Sequence, residues 1–241
     1  MPYRSMSLEE FAKHVSMDMR DVRRLADRGK LPGQKLAGQW RFNRARVTEW
    51  LQQEMHTLDE PRLVALEKAM GVATAEEPSR SDLRLTDMIG LEGIDLSLPA
   101  KTKNSVLREL VRLAGRTGLV YDDAGLLDAL EQRESLCSTA LPKGVAIPHP
   151  RQPMPYVSAE PFVCVSCIPS GIGFGAPDGG LTRLFFLVCC HTDRFHLRVL
   201  ARLMRILDNE TIALVVDARD PKELLEVLIA REKRVLEQTK P

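Results

Sequence analysis

The most informative stretch of this 241-residue chain is Gly144-Val145-Ala146-Ile147-Pro148-His149-Pro150-Arg151. Its apolar, β-branched first residues predict a short strand. The prolines on both sides of His149 fix the backbone and exclude a helix, so the imidazole is presented from a rigid turn. Such a presentation suits a nucleophile that accepts and releases a group. Because a lone histidine is often only a structural residue, the interpretation depends on what surrounds it.

Further segments on both sides of this turn follow the order found in one protein family. They are Leu98–Lys103, Leu126–Glu134, Gly175–Gly179, His196–Leu203 and a helix predicted to end in Ala218–Leu225. Together they resemble the phosphotransferase-system enzyme IIA domain of the fructose and mannitol class, including its nitrogen-regulatory branch. The resemblance runs from about Ile94 to Glu232. It implies an α/β domain with a mixed sheet flanked by helices.

The resemblance also implies a catalytic role for three side chains. His149 corresponds to the histidine that takes a phosphoryl group from the histidine phosphocarrier protein. His196 corresponds to a second histidine that donates a hydrogen bond to the phosphoryl oxygens, and Arg133 to a nearby arginine that neutralises the transferring charge. The scheme requires no metal and no cofactor. From the residues alone, His196 could equally cap a helix, and Arg133 could form a surface salt bridge.

Two positions depart from the family's pattern. Leu141-Pro142 stands where the family often has glycines, and Pro150 replaces a small residue. We expect these changes to alter the loop backbone and the approach of a donor protein. Neither of them removes a reactive group.

Residues 1–55 carry the signals of three short helices and one hairpin. The helix boundaries are marked by the capping box Ser7-Leu8-Glu9-Glu10, an expected end near His14, the caps Asp18 and Asn43, and the terminating Gly29. The segment Lys35–Phe42 between the second and third helices predicts a tight hairpin.

This arrangement, from Met6 to Leu51, resembles the excisionase and MerR-like winged helix-turn-helix domains. In that family the second helix enters the major groove of double-stranded DNA, and the wing lies along the backbone or minor groove. The resemblance assigns the DNA contacts to Arg20, Arg23 and Arg24 on the helix and to Lys35, Gln39 and Arg41 on the wing.

The N-terminal module departs from the family's pattern at two positions, and its sequence does not decide between DNA and another protein as its partner. Ser16 stands where a turn glycine is usual, and Asp18 replaces the usual serine cap. A module that contacts another protein would show the same sequence features. Because one module makes few phosphate contacts, useful affinity for DNA would favour a homodimer.

Charge is distributed unevenly along the chain. From Ala12 to Arg46, ten basic residues stand against three acidic ones, a net charge of +7, whereas Asp59–Asp95 has a net charge of −5. The basic excess indicates an anionic partner for the N-terminal part, although a solvated face would give the same pattern.

The chain therefore divides into three parts. Residues 1–55 form the small helix-turn-helix domain, residues 56–93 a linker, and residues 94–241 the α/β phosphoacceptor domain. The run Ala75–Ser81 is typical of a linker. Before it, helical spacing of three apolar residues predicts one short helix, which packs on its own domain or forms a dimer seam; these residues are Leu63, Leu66 and Met70.

Two other groups of residues could indicate a different site. Cys164, Cys167 and Cys189-Cys190-His191 could hold zinc or form a redox pair. However, these cysteines lie in apolar, strand-like runs, and residues three apart on a strand point to opposite faces. We expect buried free thiols and no metal. The glycine-rich Gly171–Gly175 lacks the strand-turn-helix context of a nucleotide site and predicts a loop.

The composition of the chain indicates where the protein is located. The chain is 28% charged and 44% hydrophobic, has no apolar run near the roughly 18 residues of a membrane span, and shows no signal peptide, so we expect a cytoplasmic protein.

The two modules predict a transcription regulator that accepts phosphate on His149 and binds DNA. Two alternatives remain: a phosphoryl-shuttle enzyme IIA component of sugar uptake, which would be a transferase, and a nitrogen-type regulator that acts by protein contact.

Overall fold

The computed structural model describes residues 5–72 and 84–238. These residues fall into two compact units. The first lies within Met1–Ser81 and also includes Leu197–Met204; the second lies within Asp82–His196 and Arg205–Pro241. The predicted linker run Ala75–Ser81 lies outside the described residues.

The first unit contains four α-helices and a three-stranded sheet. In chain order its elements are β1 (Ser5–Met6), α1 (Leu8–His14), α2 (Met19–Asp27), β2 (Gly33–Leu36), β3 (Gln39–Asn43), α3 (Arg44–Glu54) and α4 (Glu60–Gly71). A single 3-10 turn, Met55–Thr57, follows α3. The helices and the hairpin predicted for this part of the chain are confirmed.

Local hydrogen bonds explain where these helices begin. At α1, Ser7 and Glu10 form a complete capping box, in which the Ser7 N–H donates to the Glu10 carboxylate at 2.7 Å. The Asp18 carboxylate accepts from the Arg20 N–H at 2.7 Å, and the Asn43 side chain accepts from the Arg46 N–H at 3.2 Å. The sequence therefore specified these helix starts through interactions within one turn.

The β2–β3 hairpin is the predicted wing. Leu36 pairs with Gln39, so the turn consists of Ala37 and Gly38, both in the left-handed region with φ of 47° and 78°. Two such residues make the type of turn that matches the twist of a hairpin. The short β1, which sequence patterns did not indicate, pairs with β3 on its other side, giving the order β1-β3-β2.

Aromatic side chains form the core of the first unit. The rings of Phe11 and Phe42 stack with centroids 4.4 Å apart, and Trp50 lies 6.0 Å from Phe11. Val22 of α2 and Val47 of α3 are fully buried. Burial of these rings attaches the sheet to the helices.

Helix α4 confirms the predicted linker helix and carries a buried charge. Its apolar stripe Leu63, Leu66 and Met70 is buried. Glu67 is also buried and forms an ion pair with Arg202, whose Nε donates to the Glu67 carboxylate at 2.7 Å. Both residues belong to the first unit, which includes Leu197–Met204.

The second unit is an α/β domain. The elements of this part of the chain are β4 (Ile94–Asp95), α5 (Lys103–Arg116), α6 (Asp123–Leu136), β5 (Ala140–Leu141), β6 (Val145–Ala146), β7 (Phe162–Ile172), β8 (Thr182–Cys189), α7 (Asp193–Ile206), α8 (Asn209–Val216) and α9 (Pro221–Glu237). Of these, α7 contributes its residues Leu197–Met204 to the first unit. The five strands form one sheet in the order β4-β7-β8-β6-β5. The β4–β7 and β6–β8 pairs are parallel, and the β7–β8 and β5–β6 pairs antiparallel. The predicted mixed sheet flanked by helices is confirmed.

The long central strands explain the stability of this sheet. Phe162 to Ile168 of β7 and Leu184 to Cys189 of β8 are buried without interruption, as expected when both faces of a sheet are covered. On one face, alternate residues of both strands join a core with apolar residues of α5 and α6. The sheet therefore provides a rigid base for the loop that follows β6.

Two predictions for this unit need correction. The segment Ala218–Leu225 does not end a helix: Asp220 caps α9, its carboxylate accepting from the N–H groups of Lys222 and Glu223 at 2.9 Å each. The signal was an aspartate followed by a proline, which favours a helix start. Gly171 and Ile172 are the last residues of β7, and only the rest of the predicted Gly171–Gly175 loop is irregular.

Candidate functional site

The loop that carries His149 is fixed by hydrogen bonds to its neighbours. After β6, the Ile147 N–H donates to the Thr139 carbonyl at 3.0 Å, and the Pro148 carbonyl accepts from the Val188 N–H of β8 at 3.0 Å. The His149 Nδ1 atom lies 2.7 Å from the Ile147 carbonyl oxygen. A carbonyl can only accept, so Nδ1 carries the proton in the neutral ring and Nε2 carries the lone pair.

His196 lies beside His149. It is the fourth residue of α7, and its N–H donates to the Thr192 carbonyl at 3.0 Å, as in the first turn of a helix. The two imidazole rings are 4.8 Å apart between centroids, with an interplanar angle of 48°. Both residues are buried, and within residues 5–72 and 84–238 neither Nε2 atom has a hydrogen-bond partner. Both nitrogen atoms can therefore take part in a hydrogen bond to a polar group.

Arg133 supplies the positive charge. This α6 residue is buried, and its Nη1 donates to the Cys137 carbonyl at 2.7 Å. The neighbouring Glu134 accepts from the Thr139 N–H at 3.0 Å and forms an ion pair with Lys103 at 2.8 Å. Glu134 thus ties the end of α6 to the segment that leads into β5. Sequence reasoning did not assign this positioning contact, although Glu134 belongs to the motif that carried the resemblance.

Burial and positive charge keep both imidazoles neutral. The pKa of His149 is held well below 6.5, chiefly by loss of hydration and then by the charges of His196 and Arg133, while the Ile147 carbonyl opposes the shift. Burial, with a smaller contribution from Arg133, lowers the pKa of His196 to about 4. At neutral pH both rings therefore have an unprotonated nitrogen, and the guanidinium is the cation beside them.

The three residues predicted as catalytic thus lie together. The arrangement offers one imidazole lone pair, a second imidazole and a guanidinium, which suits the transfer of an anionic group. His149 is only 4% exposed, so the site is enclosed in this conformation.

A groove adjoins the His149 loop. Its volume is about 540 Å³, and it is lined by the end of α6 and by residues that follow His149, including Gln132, Leu136, Pro150, Arg151 and Met154. Leu136, at the end of α6, is 56% exposed. The groove thus combines an exposed apolar side chain with the residues that directly follow His149.

A second candidate site is the exposed face of α2. Arg20, Arg23, Arg24 and Arg28 are exposed and recur at helical spacing, so they share one side of the helix. Arg24 forms an ion pair with Asp21 at 2.7 Å. Within the described part of the chain, the Arg20 and Arg23 side chains have neither a hydrogen-bond nor an ion-pair partner. These two guanidinium groups are available to a phosphate or a base edge.

The predicted wing residues are partly engaged. Lys35 pairs with Asp27 of α2 at 3.6 Å, and the Arg41 Nη2 donates to the Gln39 side chain at 3.0 Å. The Trp40 indole N–H also donates to Asp27, at 3.3 Å. Sequence reasoning identified neither Asp27 nor Trp40 as part of this surface.

The cysteines do not form a reactive site. Cys164, Cys167, Cys189 and Cys190 are buried free thiols, as predicted. Burial raises the pKa of Cys164 to about 12 and that of Cys189 to about 11, which makes both thiols poor nucleophiles. In the described ranges, no group of three or more His, Cys, Asp or Glu side chains is arranged to hold a metal ion.

None of the helices in the described parts of the chain combines the length and apolar character needed to cross a bilayer.

Comparison with protein families assigns both parts of the chain. Residues 88–231 match the family described as phosphoenolpyruvate-dependent sugar phosphotransferase system, EIIA 2. Residues 5–55 match a family described as helix-turn-helix domain. The first match contains the candidate catalytic residues, and the second contains the basic face of α2 and the wing.

Three similar curated proteins each match about 60% of this chain. The chain is 32% identical over 148 residues to the nitrogen regulatory protein of Bradyrhizobium diazoefficiens, covering 60% of this chain and 94% of that protein. It is 30% identical over 142 residues to the fructose-specific EIIA component of Haloferax volcanii, covering 58% and 90%. The fructose-specific EIIABC component of Bacillus subtilis is 24% identical over 154 residues, which cover 63% of this chain but only 24% of that longer protein.

Solved structures give the same result for the fold. The nitrogen regulatory protein IIA-Ntr from Neisseria meningitidis aligns with a TM-score of 0.54 at 25% identity, covering 59% of this chain and 97% of that one. IIA mannitol from Escherichia coli aligns with a TM-score of 0.51 at 25% identity, covering 58% and 97%.

Proposed function

Because the chain belongs to the phosphoenolpyruvate-dependent sugar phosphotransferase system EIIA 2 family, we propose that it is a phosphorylation-controlled DNA-binding regulator. In this proposal His149 accepts a phosphoryl group from a histidine phosphocarrier protein, and residues 5–55 bind double-stranded DNA to regulate transcription. The observation that carries the proposal is the enclosed pair of Nε2 atoms on His149 and His196, with Arg133 beside them.

The geometry supports His149 Nε2 as the nucleophile. The Nε2 lone pair attacks the phosphorus atom, a new P–N bond forms, and the P–N bond of the donor breaks with its electron pair returning to the donor nitrogen. The attacking His149 ring gains positive charge, which the Ile147 carbonyl stabilises by accepting the Nδ1–H hydrogen bond at 2.7 Å. His196 and Arg133 would face the equatorial oxygens, where most of the catalytic stabilisation of phosphoryl transfer arises.

The groove beside His149 is our proposed docking surface for the phosphocarrier protein. It joins an exposed apolar residue, Leu136, to the segment that has to move for Nε2 to become accessible. We expect Leu136→Glu to slow the labelling of His149 at least tenfold. Leu214→Glu, which changes a similarly exposed leucine on α8, is the matched control and should label at the wild-type rate.

Labelling tests the phosphoacceptor. Incubation with radiolabelled phosphoenolpyruvate, enzyme I and the phosphocarrier protein should label the full chain in an acid-labile form. His149→Ala should abolish the label, His196→Ala should slow its appearance by about 10²-fold, the loss typical of one transition-state contact, and the exposed-histidine control His56→Ala should have no effect. A label that persists in His149→Ala would assign the phosphate to another residue.

Duplex binding tests the regulatory role. Fluorescence anisotropy with a duplex from upstream of the protein's own gene, at two salt concentrations, should show binding that weakens as salt increases. Phosphorylation should change the affinity of the wild type and leave His149→Ala unchanged. If no duplex binds in either state while His149 is labelled, the DNA-binding role is wrong.

The fructose-specific EIIA relative from Haloferax volcanii favours a second candidate, a phosphoryl shuttle of sugar uptake. In that case the label on His149 should pass to an added IIB protein and the duplex should not bind. The nitrogen regulatory relatives favour a third, regulation by protein contact. That role would leave the label on His149 and show neither transfer nor duplex binding.

A further inference from the structure

We infer that Asp27 is a positioning residue of the DNA-binding unit, which fixes the wing relative to the arginine face of α2 and thereby determines how well the unit discriminates one duplex from another. This inference rests on the proposed binding of DNA by residues 5–55. It concerns a residue that neither sequence reasoning nor the family comparison assigned.

The location of Asp27 needs an explanation. It is the last residue of α2 and lies at helical spacing from Arg20, Arg23 and Arg24, on the same exposed side. An acidic side chain on a surface that faces phosphates opposes binding, because like charges repel. Solvent exposure alone does not explain why an aspartate occupies this position. A structural role for its carboxylate would explain it.

The carboxylate of Asp27 joins the two strands of the wing. Its Oδ1 accepts from the Trp40 indole N–H at 3.3 Å and pairs with the Lys35 ammonium at 3.6 Å. Lys35 and Trp40 are direct cross-strand partners in the β2–β3 hairpin, and the Lys35 ammonium lies 5.5 Å from the centre of the Trp40 ring. One carboxylate oxygen of Asp27 therefore contacts both members of a cross-strand pair, Lys35 on β2 and Trp40 on β3.

Trp40 extends this attachment into the core. Its ring stacks on Phe42 with centroids 6.1 Å apart, and Phe42 stacks on Phe11 at 4.4 Å. A two-stranded hairpin with strands of four and five residues is only marginally stable alone. The Asp27 contacts and this aromatic stack thus fix the angle at which the wing leaves the unit.

Fixing that angle should increase affinity for the correct duplex. The helix and the wing must contact the same duplex simultaneously, and a surface already in its bound geometry loses less conformational freedom on binding. The same contacts neutralise Asp27 and hold Lys35 in place. We therefore expect Asp27 to favour a duplex that fits both α2 and the wing over a duplex that only attracts their positive charge.

Two substitutions separate positioning from charge. Asp27→Ala removes both wing contacts and the negative charge, whereas Asp27→Asn removes the charge but keeps an oxygen that can accept from Trp40. Asp21→Ala is the matched control, because Asp21 is an acid on the same helix that, among the described residues, pairs with Arg24 and not with the wing. All variants are made in the full-length chain.

The measurement is anisotropy with the upstream duplex and with a shuffled duplex of equal composition, over a range of salt. Asp27→Ala should bind the upstream duplex about fivefold to tenfold more weakly, as expected for the loss of one hydrogen-bonded contact. Its ratio of upstream to shuffled affinity should fall by a similar factor. Asp27→Asn should keep the wild-type ratio, with a salt slope steeper by up to about one because Lys35 is released to a phosphate. Asp21→Ala should not lower the ratio.

Trp40 provides a readout without DNA. In a Trp50→Phe background Trp40 is the sole tryptophan, and its emission should change in Asp27→Ala and remain close to wild type in Asp27→Asn. If both Asp27 variants bind more tightly with an unchanged ratio, Asp27 is only a repulsive charge and the inference is wrong. It is also wrong if Asp27→Ala behaves like Asp21→Ala. If the wild type binds neither duplex, the proposed DNA-binding function fails, and the inference fails with it.

Discussion

Replacing His196 with glutamine should make the second unit less sensitive to acid. Burial holds the pKa of His196 at about 4 in the folded chain, against 6.5 for an unperturbed histidine. As pH falls below 6.5 the unfolded chain takes up a proton that the folded chain does not. The stability contributed by the neutral ring is therefore complete above pH 6.5 and is lost as pH falls towards 4.

The size of the effect follows from the two pKa values. Each tenfold difference in proton affinity corresponds to about 1.4 kcal/mol, so a pKa lowered from 6.5 to about 4 is linked to about 3 kcal/mol once the pH lies below both values. Between about pH 7.5 and about pH 5, this single group should lower the free energy of unfolding by about 2 kcal/mol. Glutamine does not titrate and should remove that part of the pH dependence.

Amide hydrogen exchange of the full chain can measure this change within the second unit. The slowest-exchanging amides of β7 report its free energy of opening, and their values at the two pH conditions are compared for the wild type, His196→Gln and the exposed-histidine control His56→Gln. We expect His56→Gln to match the wild type and His196→Gln to lose about 2 kcal/mol less on acidification. If His196→Gln loses as much as the wild type, the neutral buried imidazole is not what links stability to pH.

Four further predictions concern other parts of the chain. Ser16 has a φ of 52° in the turn between α1 and α2, so Ser16→Gly should raise the free energy of unfolding of the first unit by about 0.5–1 kcal/mol in urea titrations followed by tryptophan fluorescence; a decrease would contradict the strain. Glu67→Gln removes the carboxylate charge that pairs with the buried Arg202 guanidinium and should cost about 3 kcal/mol in the same assay, whereas Glu223→Gln at the exposed Arg219 pair should cost less than about 0.5 kcal/mol; equal losses would refute the distinction. Only Cys137 is exposed, so a thiol reagent should modify one of the five cysteines in the native chain and all five in denaturant. Phosphorylation of His149 should speed amide exchange in residues 151–154; unchanged exchange would show that the phosphorylated site closes again.

Local signals explain what could be predicted from the sequence. The caps Ser7, Asp18 and Asn43 contact N–H groups two or three residues away, so their effect is readable without the fold. The same logic, applied to Asp220-Pro221, would have placed a helix start where a helix end was expected. Strand β1 escaped prediction because two residues carry no periodic pattern, and only pairing with β3 makes them a strand.

Contacts between distant residues account for the rest. Asp27 meets Trp40 across 13 positions, and no spacing rule connects an aspartate at a helix end with a tryptophan in the next hairpin. The candidate site shows the same limit more strongly. The proline-flanked His149 could be singled out from sequence, but its contact with His196 follows only from the sheet and α7, so the resemblance to a known family was needed to name the pair.

In the proposed function, the enclosure of the histidine pair limits how phosphorylation of His149 can be communicated. The unphosphorylated site holds no net charge on the two imidazoles, because burial lowers the pKa of both rings and keeps them neutral. A phosphoryl group on His149 would bring two negative charges into that enclosed site, where the nearby Arg133 guanidinium contributes to lowering the pKa of both imidazoles. Burying a dianion costs hydration energy that a nearby guanidinium returns only in part, so we expect the phosphorylated site to remain open to water. The two forms would then differ in the shape of the groove beside Leu136, and a partner that distinguishes those shapes can sense the phosphate without touching it.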